Sequence, residues 1–166
     1  MAKLILIGFM GSGKTTIGRL LAEKLAIPQL DLDALIVQEN KQSINDIFTE
    51  VGEEHFRKME TVALKKAINQ NVILSTGGGA PIKKLNQAIL KSVDAPIVFL
   101  NAEFNTIEKR INRDASRPLL KRIAELKQRY IKRNFIYRDL ADIEITTDRK
   151  SPDLIVEAIL EKYDEI

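Results

Sequence analysis

The sequence contains no cysteine and no tryptophan, and its histidine content is one residue, His55. Without cysteine there is no disulfide, no thiolate metal site and no cysteine nucleophile. That composition suits a reducing compartment, so a cytoplasmic location is expected. One histidine builds no metal-histidine pair, and no Ser-His-Asp pattern can be traced around it. His55, next to Phe56, is expected on a helix surface without a role. No apolar run approaches the roughly 18 residues of a membrane-crossing helix, so no membrane partner is expected. The chain enters the apolar stretch Leu4-Ile5-Leu6-Ile7 almost at once, and no secretory leader is expected ahead of it. Repeats, low-complexity tracts and long linkers are missing too. The 166 residues are therefore expected to form one domain, large enough to bury a core. A formal net charge of +3 is mildly basic, which favours anionic ligands without requiring nucleic acid.

What is present begins with Gly8-Phe9-Met10-Gly11-Ser12-Gly13-Lys14-Thr15, which fits G-x-x-x-x-G-K-[ST], a phosphate-binding loop. The apolar run before it reads as a buried strand. After it, Ile17, Leu20, Leu21 and Leu25 recur on one helical face. Strand, glycine loop and helix is the context the motif needs. Its glycines let backbone N–H groups turn inward around an anion, and the start of the helix adds the positive end of its dipole. Lys14 can reach the outer phosphates, and the Thr15 hydroxyl can ligate Mg2+.

Strands are expected at 3–7, 29–32, 72–75, 96–100 and 142–146. Helical patterns fill 14–25, 33–40, 44–51, 53–69, 83–91, 104–112, 119–139 and 152–163. Alternation of this kind implies an α/β domain with a parallel sheet covered on both faces. Ligands in such folds sit beyond the carboxyl ends of the strands. Gly8, the pair Asp31 and Asp33, and Gly77-Gly78-Gly79 each follow a strand, so three clusters are expected to meet at one sheet edge.

Several of these residues admit two readings. Asp31 and Asp33, on alternate strand positions, would face one side; one could hold Mg2+ through water and the other accept a proton. Alternatively, Asp33 caps the next helix. Arg57 and Glu60, three apart on a helix, are either an exposed ion pair of little value or a guanidinium held for a substrate carboxylate. The glycine triplet is a strand-end turn or a place where backbone approaches a ligand. The polar segment from Asn112 to Pro118 is an exposed connection or a lid that carries Arg117 over phosphates. Lys121 to Arg138 is rich in Lys and Arg, with Tyr130, Phe135 and Tyr137 interleaved. It is a nucleic-acid face or a solvated helix face whose aromatics turn to the core; the first reading leaves both aspartates and the triplet unexplained.

Taken together, these clusters resemble the shikimate kinase family, in the nucleoside-monophosphate-kinase-like branch of phosphate-loop proteins. Gly8 to Lys14 is similar to that family's first motif, Asp31-Leu32-Asp33 to its D-x-D, and Phe56-Arg57-Lys58-Met59-Glu60 to its F-R-x-x-E. Gly77-Gly78-Gly79 matches its triple glycine, Arg117-Pro118-Leu119-Leu120 its lid, and Arg133-Asn134-Phe135-Ile136-Tyr137 its R-x-x-x-Y segment. Two departures stand out: Thr15 where Ser is common, and no proline between Arg133 and Tyr137.

The resemblance implies ATP-dependent phosphorylation of the 3-hydroxyl of shikimate, on the route to chorismate and aromatic amino acids. It implies a three-layer α/β/α kinase fold with a five-stranded parallel sheet, substrate-binding helices and a lid at about 112–122. The enzyme would be a monomer with no nucleic-acid partner. Gly11, Ser12, Gly13, Lys14, Thr15 and Thr16 would hold the phosphates of ATP. Thr15 would also ligate Mg2+, with Asp31 in its outer shell. Asp33 would bind the substrate hydroxyls and take the reacting proton. Arg57 and Arg133 would clamp the carboxylate, Gly78 and Gly79 would meet the ring, and Glu60 would orient Arg57. Arg117 would close over the transferring phosphate and Arg110 would lie against the adenine.

Overall fold

Strand β1 (Leu4–Ile7) is buried at every position, as a continuous apolar run must be when both faces of a sheet are covered. Its side chains alternate. Leu4 and Leu6 enter a core with Ile17, Leu21, Ile155 and Ile159. Ile5 and Ile7 enter the opposite core, with Leu32, Phe56, Leu64, Phe99 and Tyr137. The computed structural model describes residues 1–111 and 119–163, without the side chains of 119–122; Arg117 lies outside the described residues.

After β1 come α1 (Lys14–Leu25), β2 (Gln29–Asp31), α2 (Leu32–Asn40), α3 (Ile44–Ala67) and β3 (Ile73–Ser75). A short 3-10 turn (Ala80–Ile82) leads to α4 (Lys84–Lys91), β4 (Ile97–Asn101), α5 (Phe104–Ile111), α6 (Leu119–Leu140), β5 (Ile143–Thr146) and α7 (Pro152–Tyr163). The sheet has five strands in the order β2-β3-β1-β4-β5, and every pairing is parallel. Helices α1 and α7 cover one face, and α2 to α6 supply the core of the other. This is the three-layer α/β/α fold expected from the sequence.

Register fixes where the site lies. Leu6 and Asp31 both pair with Ser75, so β1, β2 and β3 end at the same level. Gly8, Asp31 and Thr76-Gly77 therefore leave the sheet side by side. The strand order also reverses across β1, because the chain moves from β3 on one flank to β4 on the other. A crevice for a ligand opens at such a point.

Three local expectations need correction. Strand β2 stops at Asp31, so Asp33 sits in the first turn of α2 rather than on a strand. Asp33 is not the cap either. Asp31 caps the helix, its Oδ1 accepting from the Asp33 and Ala34 N–H groups at 3.0 and 3.2 Å. The two helices expected around Gly52 are present, because α3 breaks at that residue, whose φ of 77° and ψ of 170° fall outside helical space. On α6, Tyr130 and Tyr137 turn inward, but Phe135 is 69% exposed. Seven residues bring a helix back to nearly the same face, whereas five leave Phe135 about 140° from Tyr130.

Candidate active site

The phosphate loop is built from backbone. Gly13 stands at the helix start with φ 103°, and no side chain caps α1, so its first N–H groups are left for an anion. Gly8 is required by close approach, because a Cβ there would come within 2.7 Å of the Leu100 carbonyl oxygen and 2.9 Å of Ser12 Oγ. Lys14 folds back over the loop and donates to the Gly8 and Phe9 carbonyls at 2.8 and 2.9 Å. Burial draws its ammonium down to about 8, against the raising influence of Asp33 and Asp31; Arg133 pushes it down further. Thr15 Oγ1 donates to Asp31 Oδ2 at 3.1 Å. Arg110, from α5, donates to the Gly11 carbonyl at 2.9 Å.

These residues line a cavity of about 710 Å³ that holds Gly11, Ser12, Gly13, Lys14, Thr15 and Thr16 together with Asp31, Asp33, Gly77, Gly78 and Arg110. Lys150, Pro152 and Ile155 also line it. Sequence reasoning passed over Lys150 and Pro152. The signal that could have found them is positional: the turn from Thr147 to Pro152 follows the carboxyl end of β5, where ligands of such sheets bind.

A second cavity, of about 450 Å³, adjoins the first. It is lined by Phe48, Phe56, Arg57, Glu60, Gly79, Arg129 and Arg133, and it shares Met10, Asp33, Gly77 and Gly78 with the phosphate cavity. Asp33 thus stands on the common wall. Burial and the Asp31 carboxylate raise its pKa above the ordinary carboxylate value, while Lys14 and Arg57 pull it back.

The Arg57–Glu60 pair is not the exposed ion pair of the first reading. Glu60 is 1% exposed and Arg57 25%, and they meet at 2.6 Å. Glu60 falls at the same helical phase as buried Phe56, Ala63 and Ala67, a spacing legible in the sequence. Burial raises the Glu60 pKa, and Arg57 opposes the rise. Glu53, 67% exposed, takes the other edge of Arg57, accepting from Nη2 at 3.0 Å. Burial disfavours the Arg57 cation, but Glu60 and Glu53 outweigh it and hold the guanidinium charged.

The glycine triplet is explained by these side chains. None of the three glycines has positive φ. A Cβ on Gly77 would collide with the Asp33 carboxylate, and one on Gly79 with the Arg57 guanidinium. Gly78 presents its carbonyl to the Tyr137 hydroxyl and to Arg133 Nη1. Arg133 also lies 5.8 Å from the centre of the Phe9 ring. The structure therefore brings Lys14, Asp31, Asp33, Arg57, Glu60, Gly78, Gly79, Arg110 and Arg133 around two connected cavities. His55 is exposed and lines neither.

A family model described as shikimate kinase matches residues 10–164. A shikimate kinase from Sulfurihydrogenibium is 42% identical over 164 residues, 98% of each chain. The chain belongs to the shikimate kinase family. Solved structures agree. The shikimate kinase from Acinetobacter baumannii, in complex with shikimate, superposes with a TM-score of 0.89 at 32% identity and covers 98% of this chain and 93% of its own. That of Aquifex aeolicus gives 0.85 at 36% identity, covering 99% and 97%. Membership makes the chain a phosphoryl-transferring enzyme with ATP as co-substrate. No helix among the described residues is long and apolar enough to cross a membrane.

Proposed function

We propose that this chain transfers the γ-phosphoryl group of ATP to the 3-hydroxyl of shikimate, giving shikimate 3-phosphate and ADP. The observation that carries the proposal is Asp33 on the wall between a phosphate cavity and an arginine-lined cavity. A hydroxyl presented from one side can pass its proton to Asp33 while it attacks a phosphate held on the other. Phosphoryl transfer needs little covalent help; it needs in-line positioning and positive charge around the transferring group. Lys14 and the free N–H groups at the start of α1 supply charge. Arg57 and Arg133 grip the carboxylate, the Gly78 and Gly79 backbone lies along the ring, and Glu60 keeps Arg57 in place. Arg110 lies against the adenine. Arg117 and most of the lid at about 112–122, which the resemblance implies, lie outside the described residues.

Thr15 and Asp31 offer hard oxygen ligands of the kind Mg2+ takes. Among the described residues no group of three or more His, Cys, Asp or Glu could hold a metal alone. The donor set would suit an ion held jointly with nucleotide phosphates; Thr15 would bind it directly and Asp31 through water. When bound, it supplies positive charge to those phosphates. A monomer in the cytoplasm, without nucleic-acid or membrane partner, completes the reading.

A coupled ADP-release assay across shikimate, gluconate and nucleoside monophosphates tests it. Turnover with shikimate is expected; turnover with gluconate and none with shikimate overturns the assignment. Arg57→Ala is expected to raise the shikimate KM and leave the ATP KM in place.

A further inference from the structure

Of the three arginines in the second cavity, two have evident attachments. Arg57 carries Glu60 and Glu53, so its charge is more than cancelled before any substrate arrives. Arg133 donates to the Gly78 carbonyl and lies against Phe9. The third, Arg129, lies one helical turn before Arg133 on α6, on the same face. It is exposed, lines the cavity, and has no carboxylate within 4 Å among the described residues. Asp33 and Glu60 also line this cavity, so without Arg129 its lining would carry two cations against two anions. With Glu53 on the rim of Arg57, the carboxylates described around this cavity would then outnumber its lining arginines by three to two.

We propose that Arg129 is a specificity-determining residue of the acid cavity, whose uncompensated charge draws in and selects a carboxylate substrate. The assignment rests on reading this cavity as the seat of the acid. It divides the work between arginines. Arg57, fixed between two carboxylates, offers direction with little net charge; Arg129, unpaired and solvated, offers charge with little direction. A solvated charge acts over about 8–10 Å at moderate salt and is screened above that. Its contribution therefore lies in capture, and it fades as salt rises.

The test is steady-state kinetics of the full chain with shikimate and ATP, from 20 mM to about 500 mM KCl. Arg129→Gln is expected to raise the shikimate KM on the order of 3- to 10-fold at low salt, with most of the difference gone at high salt. Arg129→Lys keeps the charge and should recover most of the loss. The charge-matched control is Lys132→Gln, exposed on the same helix and outside both cavity linings; it should stay within about twofold of wild type. A ligand with hydroxymethyl in place of the carboxylate should bind wild type and Arg129→Gln alike, which a change in folding would not allow. The proposal is overturned if Arg129→Gln matches wild type at low salt, or if its loss persists undiminished at high salt. Arg57→Ala, measured alongside, separates the two failures. An unchanged shikimate KM there removes the acid cavity itself, whereas a raised one with no Arg129 effect removes only the role of Arg129.

Discussion

The two cavities are built on different plans. The phosphate side centres on one contiguous stretch made mostly of backbone: nine residues, Gly8 to Thr16, carry the turn, the N–H groups, the lysine and the hydroxyl, with Asp31, Asp33, Arg110 and Lys150 around them. The acid side is assembled from side chains on α2, α3 and α6 that approach the turn after β3. Backbone needs only φ and ψ to be right, and glycine supplies those locally. Side chains need packing from elsewhere, so Arg57 depends on Glu60 beneath it and on Gly79 leaving room above. The contrast predicts that the acid side is broken by changes far apart in sequence, while the phosphate side answers to its own loop and its charge.

The largest effect is expected at the shared wall. Asp33→Ala should lower kcat by about 10²–10⁴-fold, the usual worth of a positioned proton acceptor, with ATP binding nearly intact by calorimetry. A kcat near wild type would take Asp33 out of the mechanism. Next comes the glycine triplet. Gly79→Ala places a methyl group against the Arg57 guanidinium. Losing charge-assisted hydrogen bonds to a carboxylate costs about 1.5–3 kcal/mol, or about 10- to 150-fold in shikimate KM. Gly78→Ala would meet the Gly8 carbonyl oxygen and Met10 nitrogen at 3.4 Å and the Tyr137 hydroxyl at 3.7 Å, with no overlap as close as at Gly77 or Gly79, and should do much less. Equal effects at the two positions would show that the triplet serves the backbone rather than its neighbours.

That ordering also marks what could be read without a structure. The phosphate loop, the parallel sheet and the meeting of three clusters at one edge were legible, because each follows from local pattern and from strand polarity. The reason for the glycines was not. Neither reading of the triplet, a strand-end turn or a ligand approach, includes the room that Gly77 and Gly79 leave for Asp33 and Arg57, side chains 44 and 22 residues earlier in the chain. The identity of the α2 cap was missed because Asp31 and Asp33 are both good caps, and one residue of strand length decides between them. Burial of Glu60 could have been found from its phase with Phe56 and Ala63. Lys150 and Pro152 fall outside every motif and Arg129 is one cation of a basic run, and only the fold brings them to the cavities.

A smaller effect separates the two cavities by pH. Lys14 in the free protein loses its proton near pH 8 because burial disfavours the ammonium. Phosphates bind the ammonium form, so binding must take up a proton above that pH. ATP affinity is therefore expected to fall about tenfold between pH 7 and pH 9, while shikimate affinity, governed by arginines, should change little. Calorimetric titration of each ligand at both pH values checks the difference. Equal losses would mean that the two cavities do not titrate separately.

The smallest expected effect concerns stability, where the neighbouring aspartates should act in opposite directions. Asp31 caps α2 and accepts two backbone N–H bonds, so Asp31→Ala should cost about 1 kcal/mol. Asp33 makes no cap, and its carboxylate is partly buried beside that of Asp31, with Lys14 and Arg57 opposing. Burial and Asp31 raise its folded pKa above the ordinary value of 3.8. Between those two pKa values the folded chain binds more protons than the unfolded one, so stability falls as pH rises through that window. The stabilising contribution is fully present below 3.8 and lost at neutral pH, where ionised Asp33 bears the burial penalty. Asp33→Asn has no such charge. It should be more stable at pH 7, read as a higher Tm, and the gain should vanish as the pH is lowered below 3.8. A lower Tm at neutral pH would mean that attraction from Lys14 and Arg57 exceeds the cost of burial, and that Asp33 stabilises the fold instead of straining it.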